Sequence, residues 1–232
     1  MKLEGIETFS KVKHIIVDEM QDYTAAQYAV LSRLFPCNKT ILGDANQNVN
    51  PYSSTTSQDI KDIFPDAEDV TLVKSYRSTW EITRFSQRIS PHTEVEPVER
   101  HGGEPEIISF DKAGDEKRAI TEMIGEFNRS EKSTLGILCK TQKQAGSLHK
   151  YIEKAGESAN LVTPGSETLS AGVLITSAHL AKGLEFDQVI VPQVTQENYV
   201  TEVDRSMLYI ACTRAMHELT ITYSGEMSAL LD

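Results

Sequence analysis

The chain has 232 residues, with 23 Lys and Arg against 34 Asp and Glu, and a formal net charge of -11. That length supports one large or two small domains, and the acidic balance argues against a broad electrostatic clamp on nucleic acid, although a local basic groove is compatible with it. Three scattered cysteines form no CxxC pair, and no apolar run approaches membrane-spanning length. We therefore expect reduced thiols and a cytoplasmic protein.

Short apolar segments alternate with amphipathic ones along the whole chain. In the first part the pattern predicts strands at 14–17, 39–43 and 70–73, helices from Thr24 and near 57–64, and a helix opened by a Ser78-x-x-Glu81 capping box. After an exposed loop at 94–106, it predicts strands at 106–110, 134–140, 173–178, 188–194 and 219–223, and helices at 115–129, 142–155 and 204–216. Such alternation is typical of an α/β fold, a parallel sheet with helices on both faces. We place a domain boundary near Lys74–Tyr76.

The segment "IIVDEMQDYT" (15–24) runs from an apolar strand directly into two carboxylates, Asp18 and Glu19. Unpaired charge resists burial, whereas acids at the carboxyl end of a parallel strand point into the crevice where open α/β sheets bind ligands. One carboxylate could hold Mg²⁺ while its neighbour orients an attacking water. For an isolated Asp-Glu pair, a solvated strand end is the more common alternative. A second strand end, "ILGDANQNVNPY" (41–52), favours the ligand site, because Gln47 follows it as a candidate phosphate sensor.

Three later segments supply further candidates. "KSYRST" (74–79) places an aromatic side chain, which can stack on a nucleobase, before an arginine that can clamp phosphate. "LITSAHLAKGLEFDQVIV" (174–191) follows a polar strand end with Gly183, which allows close approach to an anion, and with Glu185, which could accept from a ribose hydroxyl. "MLYIACTRAMHELTI" (207–221) is predicted to be an apolar helix that carries Arg214, whose partner is either a carboxylate or a phosphate. Each of these residues alone has a structural alternative. Tyr76 could be a core tyrosine, Arg77 a surface arginine and His179 a structural histidine.

The ordered series "VDEMQD", "GDANQ", "YRS", "TSAHLAKGLEF" and "YIACTRA" resembles the motifs of superfamily 1 DNA helicases of the UvrD/Rep type. The run from "VDEMQD" to "GDANQ" is most similar to the helicase IV/HelD-like branch. The resemblance covers residues 15 to 221 and implies a RecA-like fold of the P-loop NTPase type. Residues 1–75 would be the C-terminal part of a first RecA-like domain, and residues 76–232 a complete second one.

The resemblance implies ATP and Mg²⁺ as cofactors and gives the first domain its roles. Asp18 would hold Mg²⁺, and Glu19 would activate the hydrolytic water. Gln21 and Gln47 would sense the γ-phosphate and couple it to domain closure. The acids after the first strand would then form a Walker B motif.

In the second domain the resemblance implies further nucleotide contacts. Tyr76 would stack on the adenine, while Arg77 and Arg214 would reach the γ-phosphate. Gly183 and Glu185 would contact phosphate and ribose.

The resemblance also implies contacts with single-stranded DNA. Thr176 and His179 would lie near its track. Tyr52 could stack on a base, because aromatic stacking suits sequence-tolerant binding, although it could equally be a loop tyrosine.

One family motif has no counterpart in the sequence. No GxxxxGK[ST] occurs, and that loop supplies most of the phosphate grip in P-loop NTPases. We therefore expect a C-terminal fragment that lacks the N-terminal part of the same polypeptide and is inactive without it.

Three functions remain open on the sequence. The first is an ATP-dependent DNA helicase or translocase that moves on single-stranded DNA. The second is a HelD-like ATPase that remodels RNA polymerase, which the net charge of -11 mildly favours. The third is a degenerate helicase fold that only binds a partner and has no enzymatic activity. The charged residues retained in every motif disfavour it.

Overall fold

A computed structural model of the chain describes residues 8–44, 57–91, 95–166 and 171–231. The chain divides into two compact units, with the boundary between Leu72 and Val73. The boundary expected from the sequence lies slightly further along the chain. Both units are built from parallel strands and helices, which confirms the predicted α/β class.

The first unit contains a two-stranded parallel sheet flanked by helices. Its elements are β1 (His14–Val17), a 3-10 helix (Met20–Asp22), α1 (Ala25–Leu34), β2 (Asn38–Ile41) and α2 (Ser57–Ile63). Thr24 and Gln27 open α1 with a reciprocal capping box, which satisfies two backbone N–H groups at the helix start. Val17, Tyr28 and Ile60 form the buried centre of this unit.

The second unit is organised around a six-stranded sheet. Its elements are β3 (Lys74–Ser75), α3 (Trp80–Ile89), β4 (Glu96–Pro97), β5 (Glu106–Phe110), α4 (Ala113–Phe127), β6 (Thr134–Cys139), α5 (Gln142–Lys154), β7 (Asn160–Leu161), β8 (Gly172–Ser177), β9 (Phe186–Val191), α6 (Glu202–Cys212), β10 (Ala215–Ser224) and a final 3-10 helix (Ala229–Leu231). The strand order is β5-β10-β9-β6-β8-β7, and every pairing between these strands is parallel. β3 and β4 form a separate parallel pair.

Helices cover both faces of this sheet, as the alternating pattern predicts. Side chains of α3 and α6 pack on one face, and those of α4 and α5 pack on the other. Successive residues of the central strands alternate between the two cores: Leu174 faces α3 and α6, whereas Val173 and Ile175 face α4 and α5. At Gly136 a Cβ atom would lie 2.6 Å from the ring of Phe186, so a glycine is required there for the ring to reach the sheet.

The strand predicted at 70–73 is wrong. Val70 and Leu72 are 76% and 85% exposed, and the strand begins only at Lys74, which pairs with Glu96 of β4. Among the described residues no strand pairs with residues 70–72, whereas Lys74 and Ser75 pair with β4.

The capping box predicted at Ser78 is also wrong. α3 is capped one residue later, by the Thr79 hydroxyl, which accepts from the Ile82 N–H at 3.4 Å. Ser78 instead donates to the carbonyl of Ala215 at 2.6 Å. A tertiary hydrogen bond has replaced the local one that the spacing indicates.

The last helix is shorter than the sequence predicts. α6 ends at Cys212, with Thr213 as its C-cap, and β10 begins at Ala215. Arg214 therefore lies in the turn between helix and strand and not within an apolar helix.

Candidate functional site

The acids of the first unit lie at the carboxyl end of its sheet. β1 and β2 are in parallel register with Val17 opposite Ile41, so both strands end at the same edge. Beyond that edge the Met20 N–H donates to the Leu42 carbonyl at 2.8 Å. The two polar segments that the sequence singled out, after β1 and after β2, are thereby brought together.

Glu19 adopts a left-handed backbone conformation, with φ 54° and ψ 54°. For a residue with a Cβ atom this region costs about 1–2 kcal/mol, and such strain is concentrated at functional sites. The Glu19 N–H donates to Oδ1 of Asp18 at 2.8 Å, which supports the bend. The turn keeps the Asp18 side chain exposed and the Glu19 side chain half-buried beside it.

Gln21 is buried to 1% exposure and connects the two strand ends. Its Nε2 donates to Oε2 of Glu19 at 2.7 Å, and its Oε1 accepts from the Asp44 N–H at 3.2 Å. A Cβ atom on residue 43 would lie 2.6 Å from that same Oε1, so only glycine fits at this position. The amide of Gln21 thus orients the Glu19 carboxylate, while its predicted role as a γ-phosphate sensor stays a prediction.

Tyr28 also stabilises the turn after β1. Its hydroxyl donates to the carbonyl of Met20 at 3.0 Å. Burial raises the pKa of Tyr28 to about 12, and the nearby Tyr23 and Asp22 add to the increase, so the hydroxyl remains a donor throughout the physiological range.

The donor set suits Mg²⁺ held jointly with a phosphate. Among the described residues, no group of three or more His, Cys, Asp or Glu side chains is placed to hold a metal ion. Mg²⁺ in nucleotide sites needs only one or two carboxylates, since phosphate oxygens and waters complete its octahedron. The exposed Asp18 carboxylate fits that arrangement. Gln47 and Tyr52 lie outside the described residues, and their roles stay predictions.

In the second unit the structure brings Arg77 and Glu185 together, although 108 positions separate them in the chain. The Arg77 Nε lies 2.5 Å from Glu185 Oε1, and their side chains are 37% and 45% exposed. Tyr76, beside Arg77, is 70% exposed. The expected roles of Tyr76 in base stacking and of Arg77 in phosphate binding stay predictions.

Arg214 is close to this pair but is only 1% exposed. Its Nε donates to the Ile210 carbonyl at 3.1 Å, its Nη1 to the Leu184 carbonyl at 3.5 Å, and its Nη2 to Oγ1 of Thr213 at 3.2 Å. The parallel register of β9 and β10 sets Ala215 opposite Phe186. The start of β10, and Arg214 before it, therefore lie beside residues 184–185.

The remaining predicted residues lie around the turn from β8 to β9. Gly183 is exposed with φ +81°, a conformation that favours glycine, and a Cβ added there would meet no atom within 4 Å. Thr176 is fully buried, and its hydroxyl donates to the Val162 carbonyl at 3.1 Å. His179 is exposed in the turn after β8. Contacts of Thr176 and His179 with DNA stay predictions.

Sequence reasoning missed Arg100. It lies in the loop that the sequence predicts to be exposed, yet its Nη1 donates to the Arg77 carbonyl at 2.9 Å. The following residues are anchored by Glu81, which contacts Nδ1 of His101 at 2.8 Å and accepts from the Gly102 N–H at 2.9 Å. The hydrogen bond from His101 is the main cause that lowers the pKa of Glu81. Nothing local in "VERHGGEPE" indicates these partners.

The fold and these two groups of side chains define an α/β protein of the RecA-like type with acids at a strand end and arginines near a glycine turn. Comparison with known families agrees with that class. The UvrD/REP helicase N-terminal domain family model matches residues 7–66, and the UvrD-like helicase C-terminal domain family model matches residues 172–222.

Individual relatives give the same result. The crystal structure of the C-terminal domain of a possible DNA helicase from Lactobacillus plantarum WCFS1 is 37% identical, with a TM-score of 0.58, over 68% of this chain and 92% of that one. ATP-dependent DNA helicase UvrD1 of Mycobacterium tuberculosis is 25% identical over 167 residues, and ATP-dependent DNA helicase PcrA of Staphylococcus epidermidis is 28% identical over 161 residues. Each of these two alignments covers 63% of this chain and 22% of the relative.

The chain belongs to the UvrD-like helicase family. It spans only 22% of the length of each of the two bacterial relatives. Across the parts of the chain that the structure describes, no helix combines the length and apolarity needed to cross a bilayer.

Proposed function

We propose that this chain is the C-terminal part of an ATP-dependent DNA helicase or translocase, in which ATP hydrolysis drives movement along single-stranded DNA. The observation that carries the proposal is the hydrogen-bonded turn after β1, where Gln21 holds the Glu19 carboxylate at 2.7 Å beside the exposed Asp18. Family membership supports it, since the relatives UvrD1 and PcrA are both named ATP-dependent DNA helicases.

In this proposal the first unit supplies the acid chemistry. ATP brings the scissile phosphate, and Mg²⁺ neutralises phosphate charge when bound. Asp18 is the metal-holding carboxylate. Glu19 accepts the proton of the attacking water as general base, and Gln21 keeps its carboxylate in one orientation. The strained backbone of Glu19 fixes that orientation before the nucleotide arrives.

The second unit supplies aromatic and cationic contacts. Tyr76 stacks on the adenine, and Arg77 and Arg214 stabilise charge that develops on the γ-phosphate. Glu185 accepts from a ribose hydroxyl once Arg77 has turned to phosphate, and Gly183 lets the backbone approach an anion.

We further propose that the isolated 232-residue chain neither binds ATP tightly nor hydrolyses it. Its sequence contains no GxxxxGK[ST], whose backbone N–H groups and lysine cradle the phosphates in this class of enzyme. The intact polypeptide is therefore the form to assay.

A cytoplasmic location is part of the proposal and rests on the cysteines. Cys37, Cys139 and Cys212 are not disulfide-bonded. Burial raises the pKa of the Cys139 thiol to about 12, with Glu116 adding to the increase, and burial also raises that of Cys212. Cysteines that form no disulfide suit a reducing compartment.

The second candidate is a HelD-like ATPase that acts on RNA polymerase. The net charge of -11 favours it, because a protein that grips DNA along its surface more often carries a basic face. The same residues would have the same phosphate roles in this function.

The test is ATP hydrolysis by the intact polypeptide alone, with single-stranded DNA, and with RNA polymerase. Stimulation by DNA supports the helicase or translocase, and stimulation by polymerase alone supports the second candidate. Glu19→Gln should lower kcat by at least about 10²-fold while ATP still binds, since a general base contributes about 10²–10⁴ in rate. The exposed Glu68→Gln is the matched control. Normal turnover in Glu19→Gln would remove Glu19 as the base.

A further inference from the structure

We propose that Arg100 is a positioning residue that sets the separation between Arg77 and Arg214, the two arginines assigned to the γ-phosphate. This inference rests on the proposed function, because it gives Arg100 a role in the same site. Arg100 acts through backbone groups of other residues and has no assigned contact with the nucleotide.

The guanidinium of Arg100 spans two segments that are distant in the chain. Its Nη1 donates to the carbonyl of Arg77 at 2.9 Å and to that of Tyr76 at 3.4 Å. Its Nη2 donates to the carbonyl of Met216 at 3.5 Å, 116 positions away, and lies 2.9 Å from Nδ1 of His217. A planar guanidinium presents its donors in a fixed fork, so these contacts define one geometry.

Both segments need an external support. Residues 76–79 lie between β3 and α3 and belong to no helix or strand, so no ladder of backbone hydrogen bonds holds Arg77 in place. Met216 is two residues beyond Arg214, at the irregular start of β10, where the register with β9 shifts between Ala215 and Glu218. Arg100 therefore joins a segment outside regular structure to the irregular start of a strand.

The backbone of Arg100 is fixed by hydrogen bonds of its own. Its N–H donates to the Val98 carbonyl at 2.7 Å, and its own carbonyl accepts from the Trp80 N–H at 2.8 Å. The anchoring of His101 and Gly102 by Glu81 fixes the chain directly after it. The backbone of Arg100 is thus ordered in the folded chain, so the entropy of ordering it is lost on folding and not on nucleotide binding.

A second bond crosses the same junction independently. The Ser78 hydroxyl donates to the carbonyl of Ala215 at 2.6 Å, next to Arg214. Ser78 and Arg100 thus hold the Arg77 segment against the start of β10 from two points. A displacement of about 1 Å in a catalytic group can cost about 10²-fold in rate, so losing either support should slow turnover.

The experiment is ATP turnover by the intact polypeptide carrying Arg100→Gln, Arg77→Ala or both. We expect Arg100→Gln to lower kcat by about 10- to 100-fold. The affinity for ADP should change less than about twofold, because ADP has no γ-phosphate for the arginines to reach. In the Arg77→Ala background, Arg100→Gln should lower kcat by less than about twofold further, since its target has gone. The exposed Arg118→Gln is the control and should leave all values unchanged.

An equal loss of kcat in both backgrounds, or an unchanged kcat in Arg100→Gln, would overturn the positioning role. If Arg100→Gln lowers the melting temperature enough to prevent assay, Ser78→Ala must show the same pattern, and additivity there overturns the proposal as well. Failure of the proposed function is distinguishable, because the wild-type protein would then hydrolyse no ATP and Arg77→Ala would change nothing.

Discussion

Asp204, near the start of α6, should stabilise the second unit in a pH-dependent way. Its Oδ1 lies 2.5 Å from Nζ of Lys140, and its Oδ2 accepts from the N–H groups of Val200 and Thr201, both at 2.9 Å. Burial alone would raise the pKa of this carboxyl, but the hydrogen bonds from Lys140 and from the two backbone groups outweigh it. The pKa falls from the usual 3.8 to about 2.

A lowered pKa in the folded state means that folding favours the ionised carboxylate. The lowering to about 2 corresponds to about 2 kcal/mol of stability, at 1.36 kcal/mol for each pKa unit. Because the folded value lies below the unfolded one, this stability is fully present above about pH 4. It is lost as the pH falls from about 4 to about 2.

The perturbation is Asp204→Asn in the 232-residue chain, measured by urea unfolding. Trp80 is the only tryptophan, and it lies in the second unit, so its fluorescence reports the unfolding of that unit. We expect the free energy of unfolding to fall by about 2 kcal/mol at neutral pH, because Lys140 loses its charged partner. Asp115→Asn is the control: its partner Arg118 is 65% exposed, so this surface pair should contribute less than about 1 kcal/mol.

The difference between the wild type and Asp204→Asn should shrink when the titration is repeated toward about pH 2. A difference that stays constant from neutral pH to about pH 2.5 would refute the assignment of the stability to this ionisation. So would a loss at neutral pH no larger than that of the control.

Two glycine substitutions test close approaches in the two units. Gly43→Ala should destabilise the first unit by about 1–3 kcal/mol, because its Cβ would overlap the turn after β1. Faster hydrogen exchange in β1 would show this loss. Gly103→Ala, where an added Cβ meets open space, should change nothing, and equal exchange rates in the two variants would contradict the overlap at Gly43. Gly136→Ala should destabilise the second unit by a similar amount through contact with Phe186, read by tryptophan fluorescence during urea unfolding. Gly146→Ala, at an open position in α5, should instead stabilise by about 0.5–1 kcal/mol, and the same sign in both variants would count against the packing argument.

The α/β architecture of the second unit could be predicted because its strands are short, buried apolar runs separated by amphipathic helices. The strand predicted at 106–110 agrees with β5 at both ends, and Ala145, Leu148 and Ile152 bury one face of α5, the helix predicted at 142–155. Periodicity reports burial directly, so it succeeds wherever burial decides the structure.

Predictions failed where a distant partner decided the local structure. Ser78 has the right spacing for a capping box, but its hydroxyl bonds Ala215, 137 positions away. Val70 and Leu72 have the pattern of a strand, yet no strand in the described ranges pairs with them. A pattern within ten residues contains no information about either outcome.

The sequence singles out residues for a candidate site, but it contains no information about their partners. Gln21 was expected to contact phosphate, and the structure shows that both ends of its amide are occupied by Glu19 and Asp44. Arg100 was not expected at all, because its partners become neighbours only when β10 enters the sheet.

The two arginines of the proposed phosphate site converge on one turn but are held with different strength. Arg77 contacts the Glu185 side chain, and Arg214 contacts the carbonyl of Leu184, the preceding residue. An exposed ion pair contributes about 0–1 kcal/mol, whereas a charge-assisted bond to phosphate is stronger. In the proposed function, a nucleotide would therefore separate Arg77 from Glu185 at small cost and leave Glu185 to accept from a hydroxyl. Arg214 is buried and donates to the carbonyls of Ile210 and Leu184, so in the proposed function it would have to leave these partners to reach a phosphate. Gly183, with φ +81°, lies directly before Leu184 and Glu185, the two residues that the arginines contact. Because it has no side chain, its backbone is unhindered. In the proposed function, nucleotide binding would therefore act on Arg77 first and on Arg214 through the same turn.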